Sequence, residues 1–230
     1  MMFTVKIADL CIGIDNKYGY LPQMCRDYMS SGAPDFTVSA SSSEIAAEDD
    51  GSGFDAGYLE SLAVYRNIAD RVLDYDGFLM HASVLDVDGR GVAFTARSGT
   101  GKTTHAAFWL KLLKGRCRVV NGDKPIIRRI DGVFYAYGTP WCGKELLNAN
   151  TRVPLRDIGI INRSDENRAE PVKNPFPLLY PAVYKPQEKD KLRKTIELMC
   201  GLLENANVYS IFCNMSIDAA RSAYNAIFGL

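Results

Sequence analysis

The stretch that decides the fold is TARSGTGKTTHAA, residues 95–107. It follows the motif G-x-x-x-x-G-K-[ST], with Gly101, Lys102 and Thr103 in the last three places and Ala96 where the motif has its first glycine. In this motif, backbone N–H groups turn inward around phosphate groups, and the following helix presents its positive end to them. Alanine in the first place removes no N–H donor. The stretch therefore predicts a phosphate-binding loop of the Walker A type, and the alternative is a glycine turn that serves the fold alone.

The sequence on both sides of this stretch supplies the context that the motif requires. FLMHASVLDV, DGR and GVAFTA read as two strands joined by a turn, and the second strand runs directly into the loop. Residues 102–114 read as a helix that stops at Gly115, and RCRVVNGD then returns as a strand. A strand, a loop, a helix and a strand in this order predict an α/β fold.

The rest of the chain also alternates strands with helices. Apolar residues at helical spacing predict a helix over residues 58–73, and His105 is expected on the surface of the helix after the loop. Residues 163–187 are rich in proline and are expected to be irregular. Further predicted elements are a strand over residues 3–14, a short amphipathic stretch over 21–29, a strand pair meeting at Asp131-Gly132, a strand over 155–162, a helix near 188–204, the strand VYSIFCNM and a helix over 217–228.

Composition limits the partners that this protein is expected to have. The 230 residues include 27 Lys and Arg against 27 Asp and Glu, so no net field attracts nucleic acid or an anionic membrane. The six cysteines form no C-x-x-C pair, and no apolar run reaches the length of a membrane-spanning helix, which indicates a reduced, cytoplasmic protein. The length predicts a single domain, with N-terminal strands and a helix (1–76), a nucleotide-binding core (77–162) and a C-terminal loop, helix, strand and helix (163–230).

The loop itself supplies the predicted nucleotide contacts. Lysine in this motif reaches the β and γ phosphates of a nucleotide such as ATP, and the Ser or Thr hydroxyl binds Mg²⁺. The metal contact is therefore assigned to Thr103. The predicted nucleotide-binding residues are Arg97, Ser98, Gly99, Thr100, Gly101, Lys102, Thr103 and Thr104.

Two further groups are candidates for chemistry beside the loop. Asp123 ends the next strand, 21 residues after Lys102, where a carboxylate commonly faces Mg²⁺, although an Asp after Gly is also a common turn residue. His81 precedes the loop by the same spacing on the neighbouring strand, and a hairpin brings such a residue to the sheet end that carries the loop. The alternative for His81 is a core histidine.

A loop after the next strand pair, YGTPWCGKE, contains Trp141 and Lys144. An exposed Trp beside a Lys is typical of recognition, so both residues are candidates for substrate contact. The alternative for Trp141 is a packed anchor of the loop.

Two separated runs resemble the HPr kinase/phosphorylase catalytic domain and, more distantly, ATP-dependent phosphoenolpyruvate carboxykinase. HASVLDVDGRGVAFTARSGTGKTT is similar to the kinase pattern that leads into G-x-S-G-x-G-K-S, and LRDIGIIN resembles its signature R-G-L-G-I-I-N. SGTGKTT itself is closer to the carboxykinase. Together the similar runs lie within residues 79–162. The resemblance implies an α/β P-loop phosphotransferase with a mixed β-sheet and flanking helices.

The same resemblance implies roles for individual residues. The kinase family has an Asp pair after the strand that follows the loop, where this sequence has Gly122-Asp123-Lys124. Asp123 is then either the general base or a ligand of Mg²⁺, with Mn²⁺ as the alternative metal, and His81 matches a metal-binding His of the carboxykinase. Arg156 falls on the Arg of the kinase signature, where a cation stabilises charge on the phosphoryl group. Asp157 and Pro154 replace a Gly and a Glu of the family pattern, which predicts an altered acceptor side.

We therefore expect an ATP-dependent kinase that transfers the γ-phosphoryl group to a hydroxyl of a peptide, a protein or a small molecule. Asp123, His81, Lys102 and Arg156 are the predicted catalytic residues. The resemblance also implies a homo-oligomer, because kinases of this kind are often oligomeric. The alternative function is a regulatory domain that senses a nucleotide without chemistry, since Lys124 would neutralise Asp123 and displace a metal.

Overall fold

Strands and helices provide similar shares of the regular structure in the computed structural model, which describes residues 1–97 and 99–229. The described strands are β1 (Met2–Ile7), β2 (Leu10–Asp15), β3 (Phe36–Ser39), β4 (Gly77–Leu79), β5 (Ser83–Val87), β6 (Arg90–Thr95), β7 (Cys117–Asn121), β8 (Ile126–Ile130), β9 (Val133–Tyr137), β10 (Arg152–Arg163), β11 (Arg168–Pro171) and β12 (Asn207–Cys213). The described α-helices are α1 (Tyr20–Met24), α2 (Ser42–Ala47), α3 (Ala56–Arg71), α4 (Lys102–Leu113), α5 (Phe176–Leu179), α6 (Lys189–Asn205) and α7 (Ile217–Phe228).

A large mixed sheet carries the loop, and β10 is its central strand. The first residues of β10 pair with antiparallel β9, which continues through β8 to β4. The rest of β10 lies between two parallel strands, β6 and β12. On the far side of β6, strand β5 is antiparallel to both β6 and β7. The predicted α/β fold with a mixed sheet and flanking helices is confirmed, and the finer P-loop type stays a prediction.

Helices cover both faces of this sheet. On one face, α4 and α7 pack around the fully buried Trp109. On the other face, apolar residues of α5 and α6 pack against β4 and β10, around Leu179 and Leu198. The N-terminal strands β1, β2 and β3 form a separate three-stranded sheet, and α3 shares their apolar core together with residues of β8 and β9. The glycine loop therefore lies at one end of a sheet whose faces are both buried.

The direction of the strands brings four chain segments to the edge that carries the loop. Strands β6, β7 and β10 all end at this edge, because β6 is parallel to β10 and both β6 and β7 run opposite to β5. Strand β5 begins at this edge, because it is antiparallel to β6. Residues before β5, after β6, after β7 and at the end of β10 are thus neighbours, although they are far apart in sequence.

Two expectations about strands and loops are wrong. Residues 3–14 form the hairpin of β1 and β2 rather than one strand, because Ala8 and Asp9 both adopt positive φ (56° and 60°) in a turn that no glycine marks. Residues 163–187 are less irregular than expected, since they contain β11 and α5.

No helix within residues 1–97 and 99–229 is both long and apolar enough to cross a bilayer.

His105 is buried inside the α4–α7 layer, not on the helix surface as expected. Its Nε2 accepts a hydrogen bond of 3.0 Å from Trp109 Nε1, and its ring packs edge-on against Phe94. Burial lowers the pKa of His105 to about 4. The histidine is therefore neutral in the folded protein at neutral pH.

We expect this buried histidine to make the protein less stable in mild acid. An unfolded His binds a proton below about pH 6.5, whereas folded His105 does so only below about pH 4. Its stabilising contribution is therefore complete above pH 6.5 and is lost as the pH falls toward 4. The expected loss between pH 7.5 and 5 is about 2 kcal/mol of the free energy of unfolding. Urea unfolding at both pH values measures it, and His105→Gln, which cannot titrate, should show a correspondingly smaller difference; an equal difference would contradict the assignment.

Candidate functional site

Three titratable side chains meet at the sheet edge that carries the loop. Lys102 is the first residue of α4, His81 lies just before β5, and Asp123 lies just after β7. Lys102 Nζ is 2.8 Å from His81 Nε2, and that nitrogen is 2.9 Å from Asp123 Oδ1. Lys102 Nζ and Asp123 Oδ1 are 3.8 Å apart. We refer to these residues as the Lys102–His81–Asp123 cluster.

His81 Nε2 is placed between a donor and an acceptor. In a neutral imidazole, Nε2 either carries the proton and donates a hydrogen bond to Asp123, or lacks the proton and accepts a hydrogen bond from Lys102. It cannot do both. Movement of Lys102 toward another partner would leave Nε2 free either to donate to Asp123 or, in the tautomer protonated at Nδ1, to accept a proton from a third group. The hydrogen bonds of His81 Nε2 can therefore change when an anion attracts Lys102 away from it.

Charge and burial act in opposite directions on the two ionic members. Burial tends to raise the pKa of Asp123, but the hydrogen bond from His81 and the charges of His81, Lys124 and Lys102 outweigh it and lower the pKa. Burial lowers the pKa of Lys102, helped by Lys124 and opposed by Asp123. The cluster thus contains a stabilised carboxylate and a partly desolvated ammonium group. A phosphate would stabilise the charge of that ammonium group by pairing with it.

A buried amide fixes the turn that carries Asp123. Asn121 Oδ1 accepts hydrogen bonds from the backbone N–H groups of Asp123 (2.9 Å) and Lys124 (2.7 Å). Asn121 Nδ2 in turn donates to the carbonyl and hydroxyl oxygens of Thr139. Both Asn121 and Thr139 are fully buried. Sequence reasoning missed these two supports, because their pairing depends on contacts between distant segments.

Gly122 is required by the same turn. A Cβ at this position would lie 2.5 Å from the carbonyl oxygen of Cys142. Any other residue would push away the loop of residues 140–147, which packs against Asp123. A close backbone approach therefore excludes a side chain at position 122.

Backbone hydrogen bonds hold His81 in place as well. Its N–H donates to the carbonyl of Ala182 over 2.7 Å, and its carbonyl accepts from the Thr95 hydroxyl over 3.0 Å. The next residue, Ala82, donates to the carbonyl of Asp123 over 2.9 Å. The ends of β5, β6 and β7 are therefore joined directly at the cluster.

The glycine loop presents free helix N–H groups beside this cluster. Gly99 and Gly101 have φ of 73° and 115°, which only glycine adopts without strain. α4 begins at Lys102 with no side-chain cap and no acidic residue in its first turn among the described residues. Uncapped N–H groups and the positive end of the helix dipole favour an anion. Thr103 and Thr104 lie in this first turn, and Ser98, also predicted to contact the nucleotide, lies outside the described residues.

Arg163, at the end of β10, contacts the loop from another side. Its Nη2 donates to the carbonyl of Gly99, and its Nε lies 3.5 Å from the carbonyl of Thr100. Among the described residues no carboxylate lies within ion-pair distance of its guanidinium. Sequence reasoning did not select Arg163; the register of β10 with β6, which pairs Ile160 with Thr95, is what brings it here.

A cleft of about 850 Å³ opens between the loop and α5, and we call it the α5 cleft. His81 lines one wall, so the cleft leads to the Lys102–His81–Asp123 cluster. Its other lining residues are 95–97, 99, 100, 160–163, 177, 178, 181 and 182.

The structure does not bring Arg156 to this site. Arg156 is exposed near the start of β10, where Leu155 pairs with Gly91 at the start of β6. It lines a shallow surface pocket with Gly89 and Arg90. From Arg156 to the end of β6 is roughly 13 Å of strand. The parallel register therefore separates Arg156 from the loop, and the cation that contacts the loop is Arg163.

The two residues predicted for substrate contact lie in different surroundings. Trp141 is buried, stacks on Tyr65 with ring centroids 4.0 Å apart, and donates through Nε1 to the carbonyl of Ser61. It is placed as the packed anchor that the sequence left open as an alternative. Lys144 is exposed in the same loop, next to Gly143, which faces Asp123.

Truncation of Trp141 should therefore affect stability first. We expect Trp141→Ala to lower the free energy of unfolding by about 3–5 kcal/mol, because it removes a large buried ring and its stacking on Tyr65. Trp141→Phe keeps an aromatic ring but removes the hydrogen bond to the carbonyl of Ser61. Its free energy of unfolding should therefore fall by only about 1–2 kcal/mol. Urea unfolding of both variants measures this. A Trp141→Ala protein as stable as the unaltered chain would contradict the anchor role.

Comparison with solved structures shows a distant structural likeness. No protein-family model and no curated protein matches this sequence. Among solved structures, the HPr(Ser) kinase/phosphatase from Coxiella burnetii is similar with a TM-score of 0.38 and 12% sequence identity. The similar region covers 66% of this chain and 97% of that chain.

Proposed function

We propose that this protein is an ATP-dependent kinase of the HPr kinase-like class, which transfers the γ-phosphoryl group to a hydroxyl. The observation that carries the proposal is the position of Lys102. It begins a helix with a free N-terminus, directly after two glycines of positive φ, and its ammonium group lies 2.8 Å from His81 and 3.8 Å from Asp123. An anion cradle beside an acid–base pair is what phosphoryl transfer requires.

In this proposal the loop holds the phosphates and Lys102 moves onto them. Backbone N–H groups of residues 101–104, at the uncapped start of α4, bind the phosphate oxygens. Lys102 exchanges His81 for the β and γ phosphates, so that His81 and Asp123 become available for the acceptor. Because Lys102 is partly buried, its interaction with developing negative charge is stronger than it would be in water.

His81 and Asp123 then handle the proton of the acceptor. The hydroxyl oxygen forms a bond to the γ-phosphorus as the bond from that phosphorus to the β,γ-bridging oxygen breaks. The hydroxyl proton passes to His81 Nε2, whose charge Asp123 stabilises, or to Asp123 itself, and then to water. The products are a phosphomonoester, ADP and one proton.

The residues present fit a bound Mg²⁺. Asp123 and Thr103 provide a carboxylate and a hydroxyl, and Mg²⁺ in phosphoryl-transfer sites is commonly held by one or two carboxylates together with phosphate oxygens and water. Within residues 1–97 and 99–229 no group of three or more His, Cys, Asp and Glu side chains forms a metal cage. When bound, Mg²⁺ would neutralise charge on the phosphates.

One observation favours the second candidate function, a nucleotide sensor without chemistry. Asp123 is already close to Lys102 and feels the positive charge of Lys124, and both ammonium groups compete with a metal. A sensor would bind ATP through the loop alone. It would not need a free carboxylate.

Calorimetry and turnover together separate the two functions. ATP is titrated into the protein with Mg²⁺ and with EDTA, and ADP formation is followed in the same samples with a fractionated pool of metabolites and peptides. A kinase should bind ATP more tightly with Mg²⁺ and form ADP with at least one fraction. Equal binding in EDTA without ADP formation would favour the sensor, and absence of ATP binding would contradict both.

A further inference from the structure

The α5 cleft is positively charged and lacks a compensating acid. Arg97 and Arg163 line it, and none of its lining residues is Asp or Glu. Within the part of the chain that the structure describes, neither guanidinium has a carboxylate within 4.0 Å. Two exposed arginines that line one cleft without a carboxylate among its lining residues favour binding of an anion there.

The contacts of Arg163 place its charge outside the phosphate cradle. When the N–H groups of a glycine loop converge on phosphates, the carbonyl groups of that loop turn away from them. Arg163 hydrogen-bonds to two such carbonyls, those of Gly99 and Thr100. Its guanidinium therefore lies on the outer side of the loop, at the α5 cleft, where it is available to an anion other than the nucleotide phosphates.

The cleft also reaches the proton-handling group. His81 is the member of the Lys102–His81–Asp123 cluster that lines it. Apolar residues also line the cleft, among them Ile160, Pro177, Leu178 and Pro181. A volume of about 850 Å³ falls in the range of small-molecule sites. The cleft thus offers a place for a hydroxyl, a carbon skeleton and an anionic group in one small molecule.

We propose that the α5 cleft is the acceptor site and that the acceptor is a small molecule with a hydroxyl and a carboxylate or phosphate group. Its anionic group binds Arg163 and Arg97, and its hydroxyl lies beside His81. This inference rests on the proposed kinase function. The hydroxyl oxygen takes the γ-phosphoryl group from ATP, ADP leaves, and the hydroxyl proton is released to water through His81 or Asp123.

A panel of matched acceptors tests this assignment with saturating Mg·ATP. The pairs are glycerate with glycerol, lactate with 1,2-propanediol, N-acetylserine with N-acetylserinamide, and glycerol 3-phosphate with glycerol, and a capped Gly-Ser-Gly peptide represents a protein serine. ADP release is measured for each. At least one anion should exceed its neutral partner by about tenfold in kcat/KM, the effect of a charged hydrogen bond. Activity with carboxylates or with the phosphate distinguishes the two anionic groups.

Arg163→Gln tests the residue that carries the inference. Glutamine retains an N–H donor for the loop carbonyls but removes the positive charge. We expect the KM for the active anion to rise by about tenfold and the KM for ATP to change by less than about threefold. Arg168→Gln is the control, because Arg168 is a nearby exposed arginine paired with Glu170 outside the cleft. This control should leave both KM values unchanged.

Several outcomes would overturn the acceptor assignment. They are equal activity of the neutral partners, activity with the capped peptide alone, no activity with any panel member, and an Arg163→Gln effect on ATP that equals its effect on the anion. Mg·ATP binding by the same samples separates this failure from that of the proposed function. A protein that binds Mg·ATP through Lys102 but rejects the panel loses only the acceptor site, whereas a protein that binds no ATP loses both.

Discussion

Lys102→Ala is expected to lower kcat/KM for Mg·ATP by about 10³-fold, the largest effect that any single replacement in this chain should have. The lysine is the one ammonium group that is both in the first turn of α4 and within hydrogen-bond distance of His81 among the described residues. Its removal leaves the backbone N–H groups of the loop in place. ATP should therefore still bind, more weakly, while transfer almost stops. Steady-state ADP release at several ATP concentrations measures this.

Lys111→Ala is the matched control for this replacement. Lys111 lies on the same helix but is exposed and distant from the cluster. It should turn over Mg·ATP at the rate of the unaltered protein. Equal rates for Lys102→Ala and Lys111→Ala would mean that the loop lysine has no part in the reaction.

Asp123→Asn should have the second largest effect, a loss of about 10²-fold in kcat, the lower end of what a positioned general base contributes. The amide has the size of the carboxylate, so the turn fixed by Asn121 should remain. It cannot stabilise a protonated His81 or accept a proton. It also binds Mg²⁺ less well. Single-turnover measurement of phosphoryl transfer with saturating Mg·ATP isolates this effect from binding.

In EDTA, the affinity of Asp123→Asn for ATP should change in the direction opposite to its kcat. Without metal, the Asp123 carboxylate repels the phosphates, so Asp123→Asn should bind ATP at least as tightly as the unaltered protein. Asp88→Asn is the control, since Asp88 is an exposed turn residue paired with Arg116. If Asp123→Asn kept full kcat, the carboxylate would be no more than a structural turn residue.

Much of the fold could be predicted from local sequence. Asp-Gly pairs at residues 88–89 and 131–132 mark the hairpins of β5 with β6 and β8 with β9, and all four residues have positive φ. The β1–β2 hairpin was missed because Ala8-Asp9 makes its turn without glycine. His105 was misplaced because periodicity does not show that α7 covers this side of α4.

The candidate site was predictable where spacing and strand direction suffice. Lys102 follows from the loop motif, and His81 and Asp123 follow from being at strand ends on the same edge of the sheet. Arg156 and Arg163 could not be told apart in this way. Their positions depend on the register between β10 and β6, which forms between segments about 60 residues apart and has no local signal. Asn121 was missed for the same reason, because its role depends on Thr139.

Phosphorus NMR of Mg·ATP with this protein tests the central claim most directly. The sample contains the acceptor panel, and parallel samples contain Lys102→Ala or Lys111→Ala. The account predicts that the ATP signals give way to ADP and to one new phosphomonoester signal in equal amount, with Lys111→Ala matching the unaltered protein and Lys102→Ala lacking the new signal. ATP signals that stay unchanged in every sample, with neither broadening nor product, would contradict it.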